Sequence, residues 1–307
     1  MNDPSLAFTI VAPAGFATNP AAVDRAEALL ARLGHRVRCD TTARSRWQRF
    51  SAPDDERLAA IARIATDADT DVALMLRGGY GFTRLLGRID FAALAAARAR
   101  WMGHSDFTAF QLAALARAGM VTFAGPMAAY DFGAPTLSAF TLDNCFGVLL
   151  HDEWRVECAL DGPSRTACTG TLWGGNLAMV AHLVGTPYFP DIDGGILFLE
   201  DVAEHPYRVE RMLYQLLHAG VLARQRAVLL GTFTEYELNA NDAGYDFGAA
   251  IAHLRDVSPT PIFTGLPFGH VPDKLTLPVG GCCALEAGDG AARLRLFDYG
   301  DRTGLRR

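Results

Sequence analysis

Three residues far apart in the chain carry the groups a nucleophilic hydrolase needs: Ser105 a hydroxyl, Glu200 a carboxylate and His270 an imidazole. Each follows an apolar, strand-like run, in Gly103-His104-Ser105-Asp106-Phe107-Thr108, Leu199-Glu200-Asp201 and Phe268-Gly269-His270. A serine between a strand ending at Met102 and an amphipathic helix starting at Asp106 gains an exposed hydroxyl. It also gains the positive end of the helix as a seat for an oxyanion. The same place suits an ordinary helix N-cap. The segment is not G-x-S-x-G, so the usual α/β-hydrolase signature is absent. Glu200 closes the apolar run Gly195–Leu199, where a carboxylate is desolvated unless partnered; holding an imidazole is the use a general base makes of it. His104 adjoins Ser105, but adjacent residues point apart. His270, in a Gly-rich loop, is the better-placed base.

Two further segments bear on chemistry. Arg77-Gly78-Gly79-Tyr80-Gly81 follows a strand and precedes a helix, yet it matches neither G-x-G-x-x-G nor a Walker A loop. It reads as a turn that comes close to the nucleophile and offers backbone N–H groups, with Arg77 either binding a carboxylate or pairing with an acid. The carboxylates and imidazole of Asp191, Asp193, Glu200, Asp201, Glu204 and His205 lack metal-ligand spacing and read as a polar surface loop. The segment 204–211 opens a helix with Pro206 at its first position; its charges are a solvated face or a contact surface.

The 307 residues are half hydrophobic and a fifth charged, enough for a large core or two packed domains. A net charge of −6 argues against a nucleic-acid surface. No apolar run approaches the roughly 18 residues of a membrane helix, and the start, Met1-Asn2-Asp3-Pro4, lacks the basic region of a signal peptide. Six cysteines without a C-x-x-C pair suggest reduced thiols and a cytoplasmic protein.

The first half alternates strands (Phe8–Ala12, Arg36–Cys39, Asp71–Leu76, Arg100–Met102, Val121–Phe123) with helices (Pro20–Leu33, Asp54–Ala65, Phe82–Leu86, Asp106 to Ala118). That alternation predicts an α/β fold with a mostly parallel sheet. The second half mixes short antiparallel strands (Val156–Leu160, Ser164–Thr169) with Ile196–Leu199, Ala227–Leu230 and Pro261–Phe263. Helices are expected near Leu177–Val184, Arg208–His218 and Ala249–Arg255, and the end is β-rich. The expected division is 1–150, a linker over 151–165, and 166–307.

Taken together in order, six segments make the chain resemble the LD-carboxypeptidases, or muramoyltetrapeptide carboxypeptidases, a serine peptidase family. They are Val11-Ala12-Pro13-Ala14-Gly15, the 77–81 glycine loop, the 103–108 segment, Gly170-Thr171-Leu172-Trp173-Gly174-Gly175-Asn176-Leu177, Leu199-Glu200-Asp201 and Phe268-Gly269-His270. The resemblance implies Ser105 as nucleophile, His270 as base and Glu200 as its orienting acid. It implies an oxyanion hole from the backbone at Gly79 and Asp106, with Arg77, Tyr80 and Trp173 at the substrate. It further implies a flavodoxin-like (amidotransferase-like) first domain bearing the nucleophile and a smaller α/β second domain with mixed β structure bearing Glu200 and His270. The implied substrate is a cell-wall muropeptide cleaved between L-diaminopimelate or L-lysine and the terminal D-alanine, without cofactor or metal, by a homodimer. His104 departs from the family pattern, in which an aromatic such as Tyr or Phe is expected. A microcin-immunity hydrolase on the same triad, a non-catalytic muropeptide-binding protein and a Rossmann-type cofactor enzyme are the alternatives. Parallel assay on both substrate types separates the first, and binding unaffected by Ser105→Ala separates the second.

Overall fold

The computed structural model describes residues 4–300, apart from 137 and 164. Its first half is built on strands β1 (Ala7–Val11), β2 (Arg36–Cys39), β3 (Val72–Met75), β4 (Arg100–Gly103) and β5 (Thr122–Ala124), all parallel, in the order β2-β1-β3-β4-β5. β1 and β3 are buried along their whole length, as strands covered on both faces must be. Helices α1 (Pro20–Arg32), α2 (Asp54–Thr66), α3 (Phe91–Ala96) and α4 (Phe107–Ala118) connect them. In α1, Asn19 caps the first turn, Pro20 sits at the first helical position, and Ala22, Val23, Ala26, Leu29 and Leu30 form the buried face. A fifth helix, α5 (Ala139–Leu150), leads out of this half.

The second sheet takes β6 (Glu153–Cys158), β7 (Thr166–Asn176), β8 (Ile196–Val202), β9 (Ala227–Thr234) and β10 (Ile262–Thr264). After β11 (Leu277–Val279) it is completed by β12 (Cys282–Gly288) and β13 (Ala291–Phe297), in the order β10-β9-β8-β7-β12-β13-β6. β7 to β10 run parallel, and β12, β13 and β6 add antiparallel. Helices α6 (Leu177–Leu183), α7 (Pro206–His218) and α8 (Phe247–Val257) connect the parallel part. The fold is thus two α/β units, each with a mixed sheet.

Several elements differ from the expectation. Part of the expected linker, 151–165, is β6, an edge strand of the second sheet. β11 leaves the second half and pairs antiparallel with β5, so the first sheet closes with a strand from the end of the chain. The run through Trp173-Gly174-Gly175-Asn176, not assigned to an element from the sequence, is strand: β7 continues to Asn176. The glycines there serve close approach, since a Cβ on Gly174 would lie 1.9 Å from Phe198 O and one on Gly175 2.4 Å from Thr108 Oγ1. α4 is also not amphipathic. Residues 107–114 are all buried, because the helix is packed against its own sheet and against α6, β7 and β11 of the second half. The Ser164–Thr169 expectation begins at a residue outside those described; from Thr166 on it is β7.

Candidate functional site

Ser105 lies in the turn between β4 and α4 with φ +67, a left-handed backbone unusual for a residue with a side chain. Among the described residues its hydroxyl makes no capping bond; Asp106 is the cap residue, and Thr108 N–H bonds to the Ser105 carbonyl at 2.9 Å. The turn is pressed against the glycine loop. A Cβ on Gly78 would lie 2.5 Å from Ser105 Cβ and 2.6 Å from its Oγ, so only glycine fits. The loop itself is tied down on both sides: Gly15 N–H bonds to Gly78 O at 3.2 Å, and the buried Asp106 carboxylate accepts Phe82 N–H at 3.0 Å. Burial raises the Asp106 pKa to about 6, against the pull of the Phe82 N–H and of Arg57. The backbone N–H groups of Gly79 and Asp106 have no backbone acceptor among the described residues and are free for an oxyanion.

Glu200 and His270 come from the second half. Glu200 is fully buried on β8, and its Oε2 accepts His270 Nδ1–H at 2.8 Å. Its Oε1 accepts from Asn176 Nδ2 at 3.3 Å, and the same amide group donates to Asp201 Oδ1 at 2.8 Å. Burial disfavours a charged His270, but the hydrogen bond and charge of Glu200 outweigh it, and the imidazole pKa ends raised. Asp201 is pushed up to about 6 by burial and then by the charge of Glu200, although Ala178 N–H, Val202 N–H and Asn176 all donate to it. The loop after His270 is fastened to the first half: Thr141 Oγ1 donates to Pro272 O at 2.6 Å and accepts Lys274 N–H at 2.9 Å. The Lys274 ammonium is ion-paired, buried, with Asp131.

Ser105 and His270 line one cavity of about 460 Å³, together with Arg77, Gly78, Gly79 and His104. No hydrogen bond joins Ser105 Oγ to His270 among the described residues, so the expected serine–imidazole contact is not formed. Such bonds are often long before substrate closes the site. His104 is buried, donates Nδ1–H to Gly125 O at 2.9 Å, and sets its ring edge-on to His270 with centroids 5.0 Å apart. Burial, then the charges of Lys274 and His270, depress its pKa well below the ordinary imidazole value, so it stays neutral.

Two residues expected at the substrate are elsewhere. Tyr80 is exposed outside the cavity, against Phe50 and under the Arg49 guanidinium, two side chains that hold it on the outer side of the glycine loop. Trp173 is buried in the core, its Nε1–H on Gln225 Oε1 at 2.9 Å and its ring edge-on to Phe189, and no residue of β7 lines the cavity. Arg77 does reach the cavity: its Nη1 donates to Phe16 O at 3.3 Å, and its buried Nε has no hydrogen-bond partner among the described residues. Among the described residues no three His, Cys, Asp or Glu side chains are grouped to hold a metal ion, and Asp191 pairs with Arg224. The Asn176 and Thr108 contacts, and Glu235 at the cavity wall, were not foreseen.

Known proteins share this sequence pattern and fold. Residues 9–125 match the model of the LD-carboxypeptidase N-terminal domain and residues 169–285 that of the C-terminal domain. The chain is 45% identical to the muramoyltetrapeptide carboxypeptidase of Oxalobacter formigenes in its crystal structure, with TM-score 0.91, covering 96% of this chain and 100% of that one. It is 31% identical to the murein tetrapeptide carboxypeptidase of Pseudomonas aeruginosa over 256 residues, 79% of this chain and 81% of the other. The microcin self-immunity protein MccF, in complex with aspartyl sulfamoyl adenosine, shares the fold at 21% identity and TM-score 0.85, over 96% of this chain and 98% of that one.

Proposed function

The chain belongs to the LD-carboxypeptidase family, and from that premise we propose that it hydrolyses the bond between L-diaminopimelate or L-lysine and the terminal D-alanine of cell-wall tetrapeptides. The observation that carries the mechanism is the His270–Glu200 pair at 2.8 Å, opening onto the same cavity as the left-handed Ser105. With Nδ1–H committed to Glu200, the other ring nitrogen is the basic one. It takes the Ser105 proton as Oγ bonds to the scissile carbonyl carbon, and the N–H groups of Gly79 and Asp106 hold the oxyanion. The C–N bond then breaks, His270 returns the proton to the departing D-alanine amine, and an acyl-enzyme remains. Water, deprotonated by the same imidazole, releases the acid and restores Ser105.

Arg77 lies on the glycine loop with an uncommitted Nε, and in this reading it receives the terminal carboxylate of D-alanine. The first half is read as a flavodoxin-like (amidotransferase-like) domain, supported by its strand order β2-β1-β3-β4-β5. Cytoplasmic action in recycling of muropeptides and a homodimeric state come with the family resemblance.

Mass spectrometry of the purified protein incubated with a diaminopimelate-containing tetrapeptide tests the reaction. Release of alanine, lost in Ser105→Ala, is expected. Undiminished release from Ser105→Ala overturns the nucleophile, and hydrolysis of an aminoacyl nucleotide in place of the tetrapeptide overturns the substrate.

A further inference from the structure

The charged groups at the cavity wall are not equally free. Lys274 and Asp131 neutralise each other, and the second Asp131 oxygen accepts Met127 N–H at 2.7 Å. Glu200 is spent on His270 and Asn176. Among the described residues that leaves Arg77 as a cation without an acid and Glu235 as an anion without a base, Glu235 making no ion pair and no side-chain hydrogen bond. A carboxypeptidase substrate ending in a dibasic residue and D-alanine needs one receptor of each sign. Its terminal carboxylate belongs to the leaving residue, and its side-chain ammonium to the acyl residue.

The position of Glu235 fits the acyl side. It follows Thr234, the last residue of β9, which pairs with Val202 on β8, two residues beyond Glu200. Its φ is +58, and Ala203, whose N–H bonds to Thr234 O at 2.8 Å, has φ +58 as well. Two neighbouring left-handed residues with side chains mark a sparsely populated backbone, of the kind held in place at ligand sites. Glycine would relieve it; the chain instead keeps a carboxylate at the cavity wall.

We propose that Glu235 is a specificity-determining residue of the same reaction, its carboxylate receiving the side-chain ammonium shared by lysine and diaminopimelate. This assignment rests on the carboxypeptidase reading. Glu235 is exposed until substrate covers it, so its contribution is screened and falls with added salt.

The test is kcat/KM of the full chain on two pairs of tetrapeptides, one with lysine and one with diaminopimelate, each with its side-chain amine free or acetylated. The wild type is expected to favour the free amine by about 10- to 30-fold, as for a charged hydrogen bond. Glu235→Gln should bring that ratio near one, and Glu235→Arg should invert it by repulsion. Both peptides meet the same enzyme sample, so the ratio is insensitive to any fraction that fails to fold. A wild-type ratio near one, or an unchanged ratio in Glu235→Gln, overturns the assignment while leaving the reaction standing. Failure of the wild type to release alanine from any of the four peptides overturns the reaction itself.

Discussion

The two walls of the cavity are organised by different physics. On the serine wall the constraints are steric and belong to the backbone: a left-handed Ser105, a Gly78 with no room for a methyl group, and N–H groups left without acceptors. On the histidine wall they are electrostatic and belong to side chains: a fully buried Glu200, a second carboxylate beside it, and an amide bridging both. A wall of the first kind is broken by adding atoms. One of the second kind is broken at constant shape, by removing charge.

The largest effect is expected on the histidine wall. His270→Ala removes the proton carrier for both half-reactions and should lower kcat/KM by about 10⁴-fold or more, with an unchanged melting temperature showing that the fold persists. Glu200→Gln should follow, at about 10³- to 10⁴-fold, and carries a sharper signature. His270 works as the neutral base, so activity rises with pH through its pKa, which Glu200 holds above the ordinary 6.5. Without the carboxylate, burial and the Lys274 charge lower the imidazole pKa, and only the weaker pull of Asp201 still raises it; the acid limb of the residual rate must move to lower pH. A limb that stays put or moves up breaks the electrostatic account. On the serine wall, Gly78→Ala should cost about 10²-fold, since the new methyl displaces Ser105 by a few tenths of an ångström or more. Near-wild-type turnover in that variant would show the close approach to be incidental.

The walls also differed in legibility. Ser105 leaves a local signal, a short apolar strand, a polar turn and a helix, but that signal fits an N-cap as well as a nucleophile, and the resemblance chose between them. The glycine loop was legible for the same reason, although its role for Tyr80 was not, because the direction of a side chain within a turn depends on packing. Glu200 and His270 stand 70 residues apart, and no spacing rule joins them; only the resemblance did. The resemblance put Trp173 at the substrate, but a resemblance does not show which way a strand residue faces, and Gly174 and Gly175 let β7 pass close to β8 and α4. β11 was misplaced because strand pairing across the whole chain leaves no mark in three residues. Glu235 was invisible, because neither its backbone strain nor the absence of a partner for it among the described residues is a property of sequence.

The smallest expected effect concerns the two imidazoles, which stand edge to face at 5.0 Å yet answer to different walls. His270 has a carboxylate and titrates upward. Among the described residues His104 hydrogen-bonds only to a carbonyl, at Gly125, and is kept neutral by burial and by the cations around it. A group already neutral across the working range cannot set the acid limb. His104→Phe should therefore lower kcat by only a few-fold, roughly the cost of one neutral hydrogen bond, through a looser Gly125 turn. The pH at half-maximal kcat/KM should stay where it was. A displaced acid limb in His104→Phe would mean that the two rings share their proton, and that the serine wall takes part in the charge system of its neighbour.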